Sequence, residues 1–212
     1  MHQDIEKILI DEEVIQKRLV VLAEKVTTDF EGKPIVVVAL LKGAILFMAD
    51  LLRKVPLPME IECINVASYH GGTTSSGEVT FLDQSLPDVN GKVVLLLDDI
   101  LDTGRTLDAV KTKLNELGAA EVKTCVLLAK DIERAVFKEA DYTGFVIGDE
   151  FVVGYGLDYQ GRYRNLPYVG ILKENAIWCE IRKRGRLRLG KISQSAVMMN
   201  ILLAPDKFKE TF

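Results

Sequence analysis

The chain has 212 residues, 48% of them hydrophobic and 27% charged, with a formal net charge of −4. That length suits one domain with a sizeable core, and the acidic balance argues against general nucleic-acid binding. Three cysteines without CxxC spacing, only two histidines, no apolar run long enough for a bilayer and a polar start over residues 1–7 together predict a cytoplasmic protein, without disulfides, a His-rich metal site, a secretory signal or a membrane partner.

In chain order, residues 4–30 place Val14, Ile15, Leu19, Leu22, Ala23 and Val26 at helical spacing and read as an N-terminal helix packed on a sheet. Residues 35–41, IVVVALL, read as a buried strand started by Pro34. Lys42 and Gly43 follow at its carboxyl end, before a helix expected over about 44–53. A lysine there, beside a glycine that lets backbone approach, is either an anion site or an ordinary strand-to-helix turn. Residues 61–69 read as a strand that runs into HGGTTSSG at 70–77, which is either a floppy hairpin tip or a lid that excludes water from a substrate. Residues 79–82 pair back as a short strand, and PDVNG at 87–91 turns the chain.

The stretch VVLLLDDILDTGRTL at 93–107 is the most informative. Five apolar residues end in Asp98 and Asp99, and Asp102, Thr103, Gly104, Arg105 and Thr106 follow. A helical face of Leu107, Val110, Leu114 and Leu117 then closes on Gly118. A buried strand, a tight loop and a helix start offer backbone N–H groups and a positive dipole end to a phosphate. Three carboxylates beside such a cradle suit ribose hydroxyls, Mg²⁺ or both. A Walker P-loop is excluded, since there is one glycine and no Gly-Lys-Ser/Thr.

Residues 121–129 form the next strand and end at Lys130, which is either a surface lysine or a donor to a carbonyl oxygen of a ligand's base. An apolar segment at 145–154 leads into GYGLDYQGRYRNLPYVGIL, which holds Asp158 and Arg164; its glycine spacing is no dinucleotide fingerprint. Phe151 is either a core residue or a stacking partner for a purine, and an arginine here can clamp phosphate. Cys63 and Cys125 lie in apolar runs and read as core residues. About five parallel-type strands alternate with helices, which fits a doubly wound α/β domain with a hood or flexible loop.

The run of hydrophobic strand, two acidic residues, two apolar residues and Asp-Thr-Gly-x-Thr resembles the phosphoribosyl-pyrophosphate (PRPP) motif of the type I phosphoribosyltransferases. With LKG at 41–43, SY at 68–69, Lys130, FVVGYGLDY from 151 and RYRNLPYVGIL to 172, residues 5 to 178 resemble the bacterial hypoxanthine–guanine branch of that family. One departure is visible, since the first acidic position is more often Glu in the family and is Asp98 here. The resemblance implies an α/β fold with a central, mainly parallel sheet flanked by helices, a flexible active-site loop and a small hood. It implies Mg²⁺-dependent purine salvage, in which PRPP and hypoxanthine or guanine give IMP or GMP and pyrophosphate. It assigns Lys42, Gly43, Asp98, Asp99, Asp102, Thr103, Gly104, Arg105, Thr106 and Arg164 to PRPP and phosphate. It assigns Lys130, Phe151 and Val152 to the purine, Ser68 and Tyr69 to loop closure, Asp98, Asp99 and Asp158 to the metal, and general acid/base work to Asp102. It also implies a cis Leu41–Lys42 peptide and a homodimer or homotetramer. Competing readings are a PRPP-sensing regulator that binds nucleic acid and a xanthine- or pyrimidine-preferring relative.

Residues 179–212 do not fit the resemblance. Residues 180–191 hold six basic side chains and one acidic one, followed by MNILLAPDKFKETF. The expected organisation is a phosphoribosyltransferase domain over 1–178 and a basic, poorly ordered extension over 179–212, against the alternative of an added interface or anion-binding patch.

Overall fold

The computed structural model describes residues 1–68, 79–83, 86–174 and 176, the side chains of 67 and 68 excepted. The expectations for Tyr69, for the 70–77 loop, for the Ser68 side chain and for 179–212 lie outside the described residues.

The chain begins with strand β1 (Ile5–Ile10), followed by helix α1 (Glu12–Phe30). The sequence pattern predicts helix across this whole stretch, and β1 corrects that. Asp11 caps α1 by accepting the Val14 N–H at 2.9 Å, with Glu12 and Glu13 in the first turn, so the helix cannot extend backward through residues 5–10. The partner of β1 is β9 (Val169–Leu172), distant in sequence, which local periodicity does not register. Strand β2 (Ile35–Leu41) has the predicted bounds, and helix α2 (Ile45–Leu52) follows. Then come β3 (Met59–Ser68), β4 (Val79–Phe81), β5 (Val93–Leu101), α3 (Arg105–Glu116), β6 (Glu121–Lys130), β7 (Tyr142–Ile147) and β8 (Val152–Val153).

The main sheet runs β4-β3-β2-β5-β6-β7. Its five inner and late strands are mutually parallel, and β4 is antiparallel to β3. Strands buried on both faces read as unbroken apolar runs, as in β2 and the first half of β5. One face packs Val37, Ala39, Leu95, Leu97 and Leu127 against α1 and α2. The other packs Val36, Val38, Val94, Leu96 and Val126 against Leu107, Val110 and Leu114 of α3. Gly118 ends that helix at φ 88°, where an L side chain is disfavoured. A second, three-stranded antiparallel sheet, β1-β9-β8, forms the hood around Ile5, Val153, Tyr168 and Leu172.

Two further corrections concern β5 and β3. Strand β5 continues to Leu101, so Asp98 and Asp99 belong to the strand and not to a loop after it; Asp98 still pairs with Val126 and Leu101 with Ala129. Cys125 is buried as expected, but Cys63 is exposed. It stands opposite Ala39 in the β2–β3 ladder, and Ile61, opposite Val37 on the same face of β3, is likewise exposed, at 52%.

Winding proceeds from β2 outward to β3 and then returns to the other side of β2 with β5. The carboxyl ends of β2 and β5 therefore flank a topological switch point, where open α/β sheets bind ligands.

Candidate active site

The tips of β2 and β5 border a cavity of about 310 Å³, which brings together Lys42, Gly43, Asp98, Asp99, Asp102, Thr103, Gly104, Arg105, Thr106, Asp158 and Arg164. Every residue expected on the phosphate, ribose and metal side is thus in one place. Gly104 (φ 82°) turns the chain into α3, whose first turn carries no side-chain cap bond. The start of α3, with its positive dipole end, thus lies at the cavity.

Asp98 and Asp99 sit side by side in the cavity floor, where the Asp98 carboxylate accepts the Asp99 N–H at 2.9 Å. Burial pushes the Asp98 carboxyl well above the usual carboxylate range, and the Asp99 charge adds to this. Burial raises Asp99 as well, opposed by hydrogen bonding to Asp98, by the Ile100 amide and by the Arg164 charge. Such a pair suits a ligand that brings hydroxyl donors or positive charge. Without one, the folded chain holds the Asp98 proton more tightly than the unfolded chain. Stability contributed by this group therefore falls as pH rises from about 4 through the raised folded value. Asp98→Asn keeps an acceptor for the Asp99 N–H and removes the charge. In substrate-free protein it is expected to flatten that decline and to raise stability at neutral pH by about 1 kcal/mol. Thermal melts across pH check this, and a variant profile parallel to the parent's refutes it.

The 41–43 loop is locked from two sides. The Leu41–Lys42 peptide is cis, as the resemblance implies. A Cβ on Gly43 would collide with the Asp99 carboxylate, so only glycine permits that approach. A Cβ on Gly156 would in turn collide with the Gly43 carbonyl oxygen. Arg164 donates from Nη1 to the Gly156 carbonyl at 2.6 Å and pairs through Nη2 with Asp158 at 2.6 Å. Asp158 also accepts the Gly161 N–H at 2.6 Å. Between them, Tyr155 donates to Asp50 at 2.6 Å, and Gln16 donates to the same oxygen at 2.8 Å. The 154–156 turn is thereby anchored to α1 and α2.

On the other side, Lys130 ends β6 with its side chain only 14% exposed, 3.5 Å from Asp102 and 3.0 Å from Asp149. Asp102, at 50% exposure, links the phosphate loop to that lysine. Phe151 is half-buried and meets Tyr159 edge-on at 5.8 Å, while Val152 is buried in the hood, paired with Ile171. Lys130, Phe151 and Val152 are not part of the cavity lining; Lys130 is joined to it through Asp102. Sequence reasoning missed Gly156, Asp149, Asp50 and Arg134 (described below). Gly156 lay within the quoted GYGLDY motif, but nothing local marked its contact with Gly43.

A carboxylate-bearing strand end, a glycine-turned helix start and a lysine–glycine loop around one cavity define an α/β protein of the type that binds phosphorylated ribose. The phosphoribosyl transferase domain model matches residues 8–160, and the chain belongs to the phosphoribosyltransferase family. It is 45% identical over 174 residues to the hypoxanthine-guanine phosphoribosyltransferase of Streptococcus pneumoniae, covering 82% of this chain and 97% of that one. It is 49% identical over 173 residues to the bifunctional protein TilS/HprT of Listeria monocytogenes, covering 82% of this chain but spanning only 27% of that relative. The fold superimposes on a hypoxanthine phosphoribosyltransferase from Staphylococcus aureus with a TM-score of 0.78 at 43% identity, covering 83% and 96% of the two chains. No helix among the described residues is long and apolar enough to cross a membrane.

Proposed function

We propose that this chain transfers the 5-phosphoribosyl group of PRPP to N9 of hypoxanthine, and also of guanine, in purine salvage. The observation that carries this reading is the Asp102–Lys130 pair, 3.5 Å apart beside the phosphate loop. A proton acceptor beside a carbonyl-directed donor is the pair that a 6-oxopurine presenting N7 and O6 would need.

In this reading the backbone N–H groups and hydroxyls of 103–106 hold the 5′-phosphate, and Asp98 and Asp99 take the ribose hydroxyls. Lys42, the Gly43 backbone and Arg164 hold the pyrophosphate. N9 attacks ribose C1′ as the bond from C1′ to the pyrophosphate oxygen breaks, with inversion through an oxocarbenium-like state. The N7 proton passes to the Asp102 carboxylate. Lys130 donates to O6 and selects against adenine, whose amino group would leave that donor unpaired. Phe151 stacks on the ring, and the Val152 backbone meets the base edge.

The donor set fits Mg²⁺. Among the described residues no cluster of three or more metal-ligating side chains exists, while carboxylates at 98, 99 and 158 line one cavity. Mg²⁺ characteristically takes one or two carboxylates with substrate phosphates and waters, without an all-protein cage. Asp158 and the Asp98–Asp99 pair would hold it, and when bound it neutralises charge on the departing pyrophosphate. Cytoplasmic location and a homodimeric or homotetrameric state, implied by the family resemblance, are part of the same proposal.

The test is to mix the protein with PRPP, Mg²⁺ and, separately, hypoxanthine, guanine, xanthine, adenine and orotate, and to follow pyrophosphate release. Release is expected with hypoxanthine and guanine and not with adenine or orotate. Silence with both hypoxanthine and guanine would overturn the reading. PRPP binding without turnover on any base would turn it toward a regulator.

A further inference from the structure

We infer that Arg134 is a positioning residue that sets the distance between Asp102 and Lys130; this rests on the function proposed above. The ladder between β5 and β6 ends at the Leu101–Ala129 pair. Beyond it, although Lys130 still pairs with Ile147 of β7 on its other side, Asp102 and Lys130 are not laddered to each other. One guanidinium takes that place. Arg134 Nε donates to the Asp102 carbonyl oxygen at 2.6 Å. Its Nη2 donates to the carbonyl oxygens of Leu101, at 3.0 Å, and of Lys130. Its Nη1 reaches the Lys138 carbonyl at 3.2 Å. Four carbonyls on three segments thus share one rigid fork, a geometry that the flexible, single-point ammonium of lysine cannot reproduce.

A second contact ties the same segment to the phosphate loop. A Cβ at Gly104 would collide with the Val136 carbonyl oxygen and press on Phe137, so residues 136–137 lie directly against the turn that opens α3. Phe137 packs against the α3-side core, with the Lys111 ammonium 5.7 Å from its ring centroid. The segment after β6 is therefore supported by the core and by the phosphate loop, and Arg134 passes that support to the two strand tips. Arg134 itself is half-exposed and belongs to none of the hydrophobic clusters. Two of its four bonds go to the backbone of Asp102 and Lys130, the residues that would meet the purine. Removing it should let those side chains drift relative to one another while the remaining phosphate and ribose contacts stay.

The experiment compares full-length wild type, Arg134→Ala and Arg134→Lys by pyrophosphate release, with separate KM values for PRPP and hypoxanthine. It adds millimolar guanidinium chloride or, as controls, equal urea or sodium chloride. Arg134→Ala is expected to lose about 100-fold in kcat/KM for hypoxanthine, with KM for PRPP changed by under about threefold. Guanidinium should restore part of the loss and the controls none, and Arg134→Lys should stay well below wild type. Full activity in Arg134→Ala, a KM for PRPP raised by more than about threefold, no recovery with guanidinium, or both variants failing to fold would each overturn the inference. A wild type that releases no pyrophosphate defeats the underlying functional reading instead, so the two failures are told apart.

Discussion

Asp102→Asn is expected to bind PRPP as the parent does and to lose most of its turnover, by about 10²- to 10⁴-fold, the usual contribution of a positioned general acid/base. The residues assigned to the phosphate, ribose and pyrophosphate line a cavity in which Asp102 is one wall among many. Its carboxylate instead faces Lys130, at 3.5 Å. Asparagine preserves the size of the side chain and leaves the Asp102 carbonyl that accepts from Arg134 untouched. What it removes is the ability to take the N7 proton as N9 attacks. Lys130 keeps a second carboxylate, Asp149, at 3.0 Å, so its own placement survives the change. Calorimetric PRPP binding in the presence of Mg²⁺, set beside steady-state rates, measures both halves. Unchanged turnover would remove Asp102 from the proton-transfer step, and lost PRPP binding would assign it to the phosphate side.

The features legible in the sequence are those written in a single segment. The bounds of β2 follow from an unbroken apolar run between Pro34 and Lys42, and the α3 face follows from Leu107, Val110 and Leu114 with Gly118 after them. The phosphate-side residues were legible because one motif contains most of them. The parts that escaped depend on pairing at a distance. Strand β1 exists because β9 lies beside it, and its IEKILI sequence is as compatible with a helix. Cys63 sits in an apolar run yet is exposed, which depends on what packs over that face of β3 and not on its neighbours in sequence. Arg134 stands in a charged stretch, DIERA, that reads as solvated surface; two of the four carbonyls it bonds lie about thirty residues upstream. The contact of Gly156 with Gly43 spans more than a hundred residues and leaves no periodic trace.

That last contact yields the second large effect. Gly156, Gly43 and Asp99 form a stack in which each layer needs the one below to lack a side chain or to stay in place. Gly156 has φ 103°, a conformation that L residues rarely adopt, and its missing Cβ is occupied by the Gly43 carbonyl oxygen. This neighbour is backbone and cannot rotate away. On its other side Gly43 is bordered by the Asp99 carboxylate, which any shift of Gly43 toward it would have to displace. Gly156→Ala must therefore displace the 42–43 segment and with it the donors proposed for pyrophosphate. Displacement of this kind is expected to lower kcat/KM for PRPP by about 100-fold or more. Overpacking should also reduce stability by about 2–3 kcal/mol. Gly32→Ala separates the two consequences. Gly32 has φ 75° with nothing near its missing Cβ, so that variant carries the backbone cost without touching the cavity. It should melt at a lower temperature with unchanged kinetics. Steady-state assays and thermal melts of both variants decide the matter. A Gly156→Ala protein with wild-type kcat/KM for PRPP would show that the 41–43 loop tolerates movement, and that its close packing on Asp99 is not what aligns the pyrophosphate.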